Sequence, residues 1–489
     1  MSRIVVVGAG VGGLATALRL AVAGHSVTIF ERGPEVGGKL ARYERTTGEG
    51  TFRFDTGPGL LTLPGVFEDL FATAGTSLAR EVDPVRVDPV VRHRFADGTW
   101  LDSTSDPDVF VDRIVSAMGP DAGADWRRLW RRAARVWRAS WRDVLNSPVD
   151  NPLAVARLAW RVRDLAAIAP GRSLRGLGRR QLRDPRLRTM LDRYATYTGS
   201  DPRRAPAALV SIPYAELTFG GWYLRGGLTS LAAALLRLCL AHGVEVHCGR
   251  TVSAISVDSG RTSGVRTKEG EWHGADAVVA NADALHVYRD LLPSPGFAVR
   301  HTDRSLAGFV LLLGVRGTTP ELAHHTVLFP ADYDAEFDAV FGGRPATDPT
   351  VFVTVARDPS VQPPGHEAWF VLVNAPPQST TMDWRVPGRA EAYADRVLTV
   401  LAERGVDVRD RLLFREIRTP ADLEANAGAP GGAIYGSPGH AMLRPGNRGP
   451  VPGLYLVGGS VHPGGGLPMV ALSAKLVATT VARDLARRR

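Results

Sequence analysis

The hydrophobic pattern at the start of the chain changes from a strand period to a helix period and back. Residues 4–7 (IVVV) form a short continuous apolar run, which is typical of a buried parallel strand. A helix is predicted over residues 13 to about 23, and Gly24 ends it. A second strand is predicted over Ser26–Phe30. The order strand, helix, strand indicates a βαβ unit and therefore an α/β fold.

Glycines occupy the junction between the first strand and the helix. Gly8, Gly10 and Gly13 have the spacing G-x-G-x-x-G, with Gly12 beside them. Gly8 permits a sharp turn, Gly10 lets a pyrophosphate approach the backbone, and Gly13 lets the helix pack closely on the strand. The free N–H groups at the start of the helix face the phosphates. The alternative is a glycine-rich turn in an ordinary βαβ unit.

An acidic residue, Glu31, follows the second strand at roughly 20 residues from the glycines. A carboxylate at this position binds both hydroxyls of an adenosine ribose and repels a 2′-phosphate. The glycines and Glu31 together predict a dinucleotide site.

Two further glycine segments favour FAD over NAD as the dinucleotide. Glu31-Arg32 is followed by Gly37-Gly38-Lys39, and DTGPG occupies residues 55–59. This order is similar to the second phosphate-binding segment of the FAD-containing amine oxidase and phytoene desaturase superfamily. The resemblance implies that the paired glycines approach FAD and that Lys39 contacts its phosphates; a solvated charge is the alternative for Lys39. The cofactor-binding residues expected here are Arg32, Gly38, Lys39, Leu40, Gly57, Pro58, Gly59 and Leu60.

The resemblance to carotenoid desaturases continues over nearly the whole chain. Similar segments are DTGPGLLTLPGVF (55–67), LDRYATYTGSDP (191–202), SIPYAELTFGGWYLRGG (211–227) and GLYLVGGSVHPGGGLPMVALSAK (453–475). The pattern H-H-x-x-x-F-x-x-D-Y-x-x-E-F in residues 324–337 most resembles 1-hydroxycarotenoid 3,4-desaturases. The chain is identified as a member of the phytoene desaturase and carotenoid desaturase family.

The family resemblance also assigns cofactor contacts in the later segments. Gly458, Gly459 and Ser460 would cross the ribityl chain of FAD, and a helix starting near Pro468 would face the pyrimidine end of its ring. Free N–H groups there would stabilise negative charge on the reduced flavin. The further expected cofactor contacts are Val252, whose backbone would bind adenine, Asn281, Met469 and Val470.

The expected architecture is a Rossmann-type FAD-binding domain, similar to glutathione reductase, with an interleaved α+β substrate domain. The FAD-binding domain is predicted to comprise residues 1–100, 215–290 and 415–489. The substrate domain is predicted over residues 101–214 and 291–414, with a helical cap at about 104–190 that faces either a membrane or the protein core.

Composition narrows the class of protein further. A chain of 489 residues with 44% hydrophobic residues suits two joined globular domains. No apolar run approaches the ~20 residues that span a bilayer, and no signal peptide is expected. The only two cysteines, Cys239 and Cys248, favour a reducing cytoplasm. The expected location is cytoplasmic, with peripheral attachment to the inner face of the cell membrane as an extension.

Arginine accounts for most of the net charge of +9 and is interleaved with tryptophan in residues 126–142. The tryptophans share one helical face at positions Trp126, Trp130, Trp137 and Trp141. Tryptophan with arginine on one helix suits a membrane surface; the alternative is a core face opposite a solvated basic face. Nucleic acid is not expected, because no recognition motif accompanies the charge.

A metal site is also not expected. His324 and His325 are adjacent, but on a strand they would point in opposite directions, and no third ligand has useful spacing.

The predicted function is an FAD-dependent oxidoreductase that introduces carbon–carbon double bonds into a long isoprenoid polyene by hydride transfer to flavin N5. Candidate catalytic residues are His462, for proton transfer, with Arg225 and Glu216 as weaker candidates. The electron acceptor would be a quinone or oxygen. The alternatives are a tailoring oxidase of a non-carotenoid metabolite, a redox-neutral carotene isomerase, and a non-catalytic flavin-binding escort protein.

Overall fold

The computed structural model describes residues 1–148, 166–292, 304–438 and 444–488. These residues form two interleaved halves, each built on its own large sheet. A second stretch rich in arginine and tryptophan, with Arg157, Trp160, Arg161 and Arg163, lies outside the described residues.

The strands are numbered in chain order. They are β1 (Arg3–Val7), β2 (Ser26–Phe30), β3 (Arg42–Thr47), β4 (Gly50–Asp55), β5 (Pro84–Val87), β6 (Val91–Arg94), β7 (Trp100–Ser103), β8 (Gly221–Leu224), β9 (Glu245–His247), β10 (Val252–Asp258), β11 (Arg261–Thr267), β12 (Trp272–Gly274), β13 (Ala277–Ala280), β14 (Ala307–Arg316), β15 (His325–Leu328), β16 (Val351–Val355), β17 (His366–Ala375), β18 (Leu412–Arg418) and β19 (Leu454–Leu456).

The α-helices are numbered in the same way. They are α1 (Val11–Val22), α2 (Pro64–Thr73), α3 (Leu78–Glu81), α4 (Pro107–Met118), α5 (Pro120–Ser140), α6 (Leu174–Gln181), α7 (Pro185–Arg193), α8 (Ser211–Phe219), α9 (Thr229–Ala241), α10 (Ala284–His286), α11 (Tyr333–Phe341), α12 (Arg389–Glu403), α13 (Pro420–Ala427) and α14 (Leu467–Ala486).

A five-stranded parallel sheet, in the order β19-β13-β1-β2-β9, forms the flavin half. Successive β1 residues point to opposite faces, because side chains alternate along a strand. Ile4 and Val6 pack with helices α1, α9 and α14, whereas Val5 and Val7 pack with the three-stranded antiparallel sheet β10-β11-β12. The result is a three-layer arrangement of helices, parallel sheet and antiparallel sheet, which confirms the predicted α/β class.

A seven-stranded sheet, in the order β18-β14-β17-β16-β15-β6-β7, forms the substrate half. One face of its apolar strands packs on α12, with Phe309, Trp369 and Val397 in the same core. The opposite face packs on Phe52 and Phe54 of β4. The β3–β4 hairpin therefore lies between the substrate sheet and the flavin half.

The tryptophan face of α5 packs inside the protein. Trp126 is 2% exposed and Trp137 is 8% exposed. Trp130 contacts Tyr214 at 4.9 Å between ring centroids, and Trp137 contacts Phe219 at 5.7 Å. Of the two alternatives for this face, the structure supports the packed core, because α8 covers it. The arginines on the other side of α5 are exposed.

Two predicted boundaries between the halves are wrong. β6 and β7 belong to the substrate sheet, so the chain leaves the flavin half near residue 90 rather than at residue 100. β18 also belongs to the substrate sheet, so the chain returns after Arg418 rather than at residue 415. The β6–β7 hairpin and β18 both lie near a junction where the apolar pattern does not reveal which sheet a strand joins.

Among the described residues, no helix is both long enough and apolar enough to cross a bilayer.

Candidate active site

Three strands of the parallel sheet end side by side and carry the site. Val7 of β1, Ala280 of β13 and the last residue of β19, Leu456, are aligned in register. The segments that follow these strands contain Gly8, Asn281 and Gly458. Because ligands bind at the carboxyl edge of such sheets, this convergence defines the candidate site.

The glycine turn after β1 has no room for side chains. Gly8 has φ +96° and donates its N–H to the Phe30 carbonyl at 2.7 Å. A Cβ on Gly13 would lie 2.1 Å from the Gly8 carbonyl oxygen. Helix α1 therefore packs on the turn only with glycine at position 13, in the role that the sequence predicts. The helix begins at Val11, two residues before the predicted start, because the Gly10 carbonyl accepts the Leu14 N–H.

Asn281 fills the space beneath the turn. A Cβ on Gly10 or on Gly12 would lie 2.7 Å from the Asn281 amide group. The Asn281 Nδ2 donates to the Val457 carbonyl at 3.0 Å. Asn281 thus ties the glycine turn to the end of β19, so its position supports the shape of the cradle.

Glu31 lies at the same edge of the sheet. Its carboxylate accepts the Ala9 N–H and the Gly33 N–H, each at 2.7 Å. The Arg250 N–H donates to the Glu31 carbonyl at 2.8 Å, which brings the start of β10, at Val252, close to the acid. The predicted ribose and adenine contacts therefore lie in one region.

The second glycine segment abuts the first. The Gly37 N–H donates to the Ala9 carbonyl at 2.9 Å, and a Cβ on Gly38 would lie 3.2 Å from the Gly10 Cα. The Lys39 Nζ donates to the carbonyls of Ala433 and Ile434, at 3.2 and 2.6 Å. Burial lowers the pKa of Lys39, and the Asp283 carboxylate opposes this effect.

Arg32 extends from the same segment to a different partner. Its guanidinium donates to the Ala425 and Asn426 carbonyls, at 3.0 and 2.5 Å, near the end of α13. Arg32 and Lys39 thus both connect the flavin half to residues that follow the substrate sheet.

The DTGPG segment joins the glycine cradle to the substrate sheet. A Cβ on Gly57 would lie 1.9 Å from the Lys39 carbonyl oxygen, so the segment contacts the second glycine segment directly. At its other end, the Gly59 carbonyl accepts a hydrogen bond from His325 Nε2 at 3.0 Å. Of the flanking residues expected here, Leu40 is buried, whereas Pro58 and Leu60 are partly exposed.

The final loop and helix close the site. A Cβ on Gly458 would lie 2.9 Å from Asn281 Nδ2, and one on Gly12 would lie 3.1 Å from Val470 Cγ1. Gly459 lies nearby, and its carbonyl oxygen accepts a hydrogen bond from Arg444 Nη1 at 2.9 Å. Ser460 Oγ accepts a hydrogen bond from the Ala284 N–H at 3.0 Å, so this hydroxyl oxygen already has a partner within the protein.

Helix α14 presents its first turn to the cradle. It starts at Leu467, beside the predicted Pro468 and Met469, with no side-chain cap and no acidic residue in the first turn. Its uncapped N–H groups are donors for a negatively charged group.

The residues at this edge fit an FAD. Gly10 is partly exposed and Gly38 is exposed, so a pyrophosphate can approach their backbone. The start of α1 supplies N–H groups, and Glu31 lies at the ribose position. The individual cofactor contacts stay predictions.

The catalytic candidates lie in different surroundings. His462 is buried, and its Nε2 lies 2.9 Å from the Ser147 carbonyl oxygen, as in a histidine that is hydrogen-bonded to the backbone for structural reasons. Arg225 lies at the surface, where its guanidinium pairs with Asp83 at 2.9 Å. Glu216 is 2% exposed and accepts hydroxyl hydrogen bonds from Tyr194 and Tyr197. The structure does not bring these three residues into one constellation.

The geometry expected for the paired histidines is wrong. His324 precedes β15, so it does not follow the alternation of the strand, and its ring centroid lies 4.5 Å from that of His325. Within the described residues, no group of three metal-ligating side chains is found.

A buried polar network in the substrate half was missed by the sequence reasoning. It comprises Arg193, Tyr194, Tyr197 and Glu216. Burial raises the pKa of Glu216. Glu216 is one of the predicted catalytic candidates, and the other three residues lie in the segment 191–202 that resembles the family, but their spacing does not show that the four meet.

A cavity lies beside the DTGPG segment, between the β3–β4 hairpin and the substrate sheet. Its apolar walls include Phe54, Tyr223 and Phe370, and its polar walls include Arg42 and Asp55. This mixed lining differs from the long apolar channel that a polyene substrate would need. Such a channel is a prediction.

The fold and the site together define an FAD-binding oxidoreductase. Residues 11–482 match the family of flavin containing amine oxidoreductases, and the chain belongs to this family.

The relatives within this family are carotenoid enzymes. The chain is 34% identical to a 4,4'-diapolycopene oxygenase of Methylomonas sp, over 99% of this chain and 98% of the relative. It is 34% identical to a hydroxyneurosporene desaturase of Cereibacter sphaeroides, with the same coverage of both chains. It is 35% identical to a zeta-carotene-forming phytoene desaturase of Myxococcus xanthus, over 97% of this chain and 93% of the relative. These matches confirm the predicted kinship with carotenoid desaturases.

Solved structures support the same fold. An oxidoreductase from Methanosarcina mazei, 19% identical, has a TM-score of 0.63 and covers 98% of this chain, with 100% of its own length matched. A putrescine oxidase bound to putrescine, 16% identical, has a TM-score of 0.61, with 99% of both chains covered.

Proposed function

We propose that the protein is an FAD-dependent desaturase that introduces carbon–carbon double bonds into a long isoprenoid polyene. The observation that carries the proposal is full-length similarity to two desaturases of such polyenes, combined with a flavin cradle assembled from both ends of the chain. FAD, when bound, would be the oxidant and would accept a hydride at its N5 atom.

The residues of this chain supply binding and electrostatics. The backbone at Gly10 and Gly38 holds the pyrophosphate, and the uncapped first turn of α14 stabilises negative charge on the ring. His462 is the candidate proton acceptor. Because the Ser147 carbonyl only accepts, the His462 Nε2 carries a proton, and Nδ1 is then the basic atom of the neutral ring.

An oxygenase is the second candidate function, because one relative of 34% identity is named as a diapolycopene oxygenase. The two functions leave different products. A desaturase removes two hydrogens for each double bond, whereas an oxygenase adds an oxygen atom to the polyene.

The test is anaerobic mixing of the purified flavoprotein with phytoene, neurosporene or 1-hydroxyneurosporene in liposomes. The expected result is bleaching of the flavin with a red shift of the polyene absorbance, and a product that has lost two hydrogens per double bond. Conversion of the polyene that needs oxygen, with oxygen in the product and no anaerobic bleaching, would replace the desaturase by the oxygenase. Quinone added afterwards should restore the flavin colour if it is the electron acceptor, with air as the comparison.

We also propose that the exposed basic side of α5 docks on an anionic membrane at the inner face of the cell. Arg127, Arg131, Arg135 and Arg138 are exposed at spacings of four, four and three residues. Burial lowers the pKa of Arg132, and crowding by Arg172, Arg135 and Arg180 lowers it further, so positive charge is concentrated here. Each basic residue near an anionic surface contributes about 1 kcal/mol.

The membrane proposal is tested by vesicle flotation. Arg131→Glu/Arg135→Glu should release the protein from vesicles that contain anionic lipid. Arg385→Glu/Arg409→Glu is the matched control, because both arginines are exposed, and it makes the same charge change in the other half. Equal flotation of the two variants would refute a specific role for α5.

A further inference from the structure

Arg193 is a buried cation that forms no direct ion pair with the residues that the structure describes. It is 7% exposed and lies at the end of α7. Within the same residues, its side chain makes one hydrogen bond, from Nη1 to the Tyr197 hydroxyl at 3.3 Å. A guanidinium has five N–H donors, so most of its hydrogen-bonding capacity is not used by these residues. Buried charges are normally paired and fully hydrogen-bonded, which makes Arg193 a candidate for binding something else.

Aromatic rings hold the Arg193 guanidinium in place. Its central carbon lies 5.2 Å from the ring centroid of Tyr197 and 5.5 Å from that of Phe352, within the range of cation–π attraction. Both rings are only partly buried. A polyene is flat and apolar, so such rings suit its surface.

A negative group behind Tyr197 balances the cation. The Tyr197 hydroxyl donates to Glu216 at 2.8 Å, and the Tyr194 hydroxyl donates to the other oxygen of Glu216 at 2.8 Å. Burial raises the pKa of Tyr197, which keeps its hydroxyl protonated as a donor. Both oxygens of Glu216 are therefore occupied, whereas Nη1 is the one Arg193 donor that is hydrogen-bonded within the described residues. This asymmetry suits an uncharged acceptor oxygen rather than a ligand that brings its own donor.

One chain of contacts connects Arg193 to the flavin edge. Phe352 stacks on His325 at 5.7 Å, and His325 binds the Gly59 carbonyl of the DTGPG segment. Burial raises the pKa of Tyr435, and the charge of Arg193 opposes this effect, so Tyr435 lies within electrostatic range of the guanidinium. The Tyr435 ring packs on the loop that precedes α14, with its Cδ1 2.2 Å from where a Cβ on Gly465 would lie. Arg193 is therefore linked by contacts to the DTGPG segment and acts electrostatically on a ring that packs on the final loop.

We propose that Arg193 binds a hydroxyl or carbonyl oxygen at the end of a polyene substrate and places the nearby carbons against the flavin. The inference rests on the proposed desaturase function and specifies its substrate class: the preferred substrate carries an oxygen within a few bonds of the carbons that are oxidised. Tyr197 and Glu216 orient Arg193 for this role.

The test compares 1-hydroxyneurosporene with its hydrocarbon, neurosporene, on the FAD-loaded protein. The unmodified protein should have the higher kcat/KM for the hydroxylated polyene. Arg193→Met should lower that value about tenfold to a hundredfold, because a charged hydrogen bond to the substrate is lost, and should leave the value for neurosporene within about threefold. Arg193→Lys should retain an intermediate preference.

The control is Arg404→Met. Arg404 is also buried, but it donates to the Leu328 and Pro349 carbonyls and pairs with Asp348. Its loss should affect both polyenes equally.

The outcomes separate the two proposals. Equal losses on both polyenes in Arg193→Met, or no preference in the unmodified protein, would overturn the oxygen-binding role while leaving the desaturase function intact. Oxidation of neither polyene would instead overturn the proposed function. If Arg193→Met does not accumulate with bound FAD, the Arg193→Lys and Tyr197→Phe variants decide the question by the same ratio of kcat/KM values.

Discussion

The flavin half forms its site from backbone atoms, whereas the substrate half forms its site from side chains. At the edge of the parallel sheet, backbone atoms form the site, and side chains are excluded: Cβ atoms on Gly13 or Gly57 would lie about 2 Å from a carbonyl oxygen. In the substrate half, side chains from separate elements meet, as Arg193 meets Phe352 and Tyr197. The backbone cradle requires glycines, which have no side chains, whereas the pocket in the substrate half requires particular side chains. The two halves should therefore respond differently to substitution.

The largest expected effect lies in the packed helical part of the substrate half. Trp126→Ala should lower the free energy of unfolding by about 4 kcal/mol, because a fully buried ring is removed. Arg127→Ala, one position along on the exposed side, should change it by less than about 0.5 kcal/mol. Urea denaturation measures both. Similar values for the two variants would mean that α5 is not packed by its tryptophan face.

A smaller loss is expected from adding one methyl group to the glycine turn. Gly13→Ala should cost about 3 kcal/mol and reduce bound FAD, because the Cβ meets the Gly8 carbonyl. Gly65→Ala is the control, since the helical Gly65 has open space around it. The ratio of flavin to protein absorbance gives the bound FAD. Full flavin content in Gly13→Ala would contradict the backbone cradle.

The buried carboxylate of Asp192 should give the substrate half a pH-dependent stability. Burial raises the pKa of Asp192 to about 6, despite the nearby Arg175, with Asp334 raising it further. The folded protein then binds a proton that the unfolded chain releases above about pH 4, so stability falls as pH rises from about 4 to about 6. The expected decrease is about 3 kcal/mol, at roughly 1.4 kcal/mol for each of the roughly two pKa units. Asp192→Asn should lack this part of the pH profile in urea titrations, and an unchanged profile would exclude Asp192 as its source.

The smallest expected effect is at the ribose position. Glu31→Gln should weaken FAD binding about tenfold, because a charge-assisted acceptor becomes neutral. Glu35→Gln changes the same charge on an exposed residue nearby and should leave FAD affinity unaltered. Fluorescence titration of FAD into the flavin-free protein compares them. Equal affinities would remove Glu31 from the cofactor contacts.

The same difference explains how much could be predicted from the sequence. The flavin half was predictable because each of its parts is local: Gly8 and Gly13 lie in one turn, and Glu31 follows the next strand. The parallel strands β1 and β2 and the start of α14 were predicted to within a few residues. The relatives confirm the inferred family and cofactor class.

The features that the sequence did not reveal depend on contacts between distant residues. The membership of β6, β7 and β18 in the second sheet is set by tertiary pairing, which the apolar pattern of a single strand does not encode. Arg193 lies in the segment 191–202 that resembles the family, but its burial between Tyr197 and Phe352 is set by tertiary packing.

The position of β19 and α14 has a consequence for biosynthesis. α1 is made early, yet its apolar side is covered by α14, which comes roughly 450 residues later. At about 5–20 residues per second, that interval lasts about 20 to 90 s on the ribosome. During this time the apolar side of α1 is uncovered in the nascent chain, and the nucleotide site is incomplete. We therefore expect FAD to be incorporated after translation, and rapid synthesis of this protein to depend on chaperones that cover the N-terminal segment.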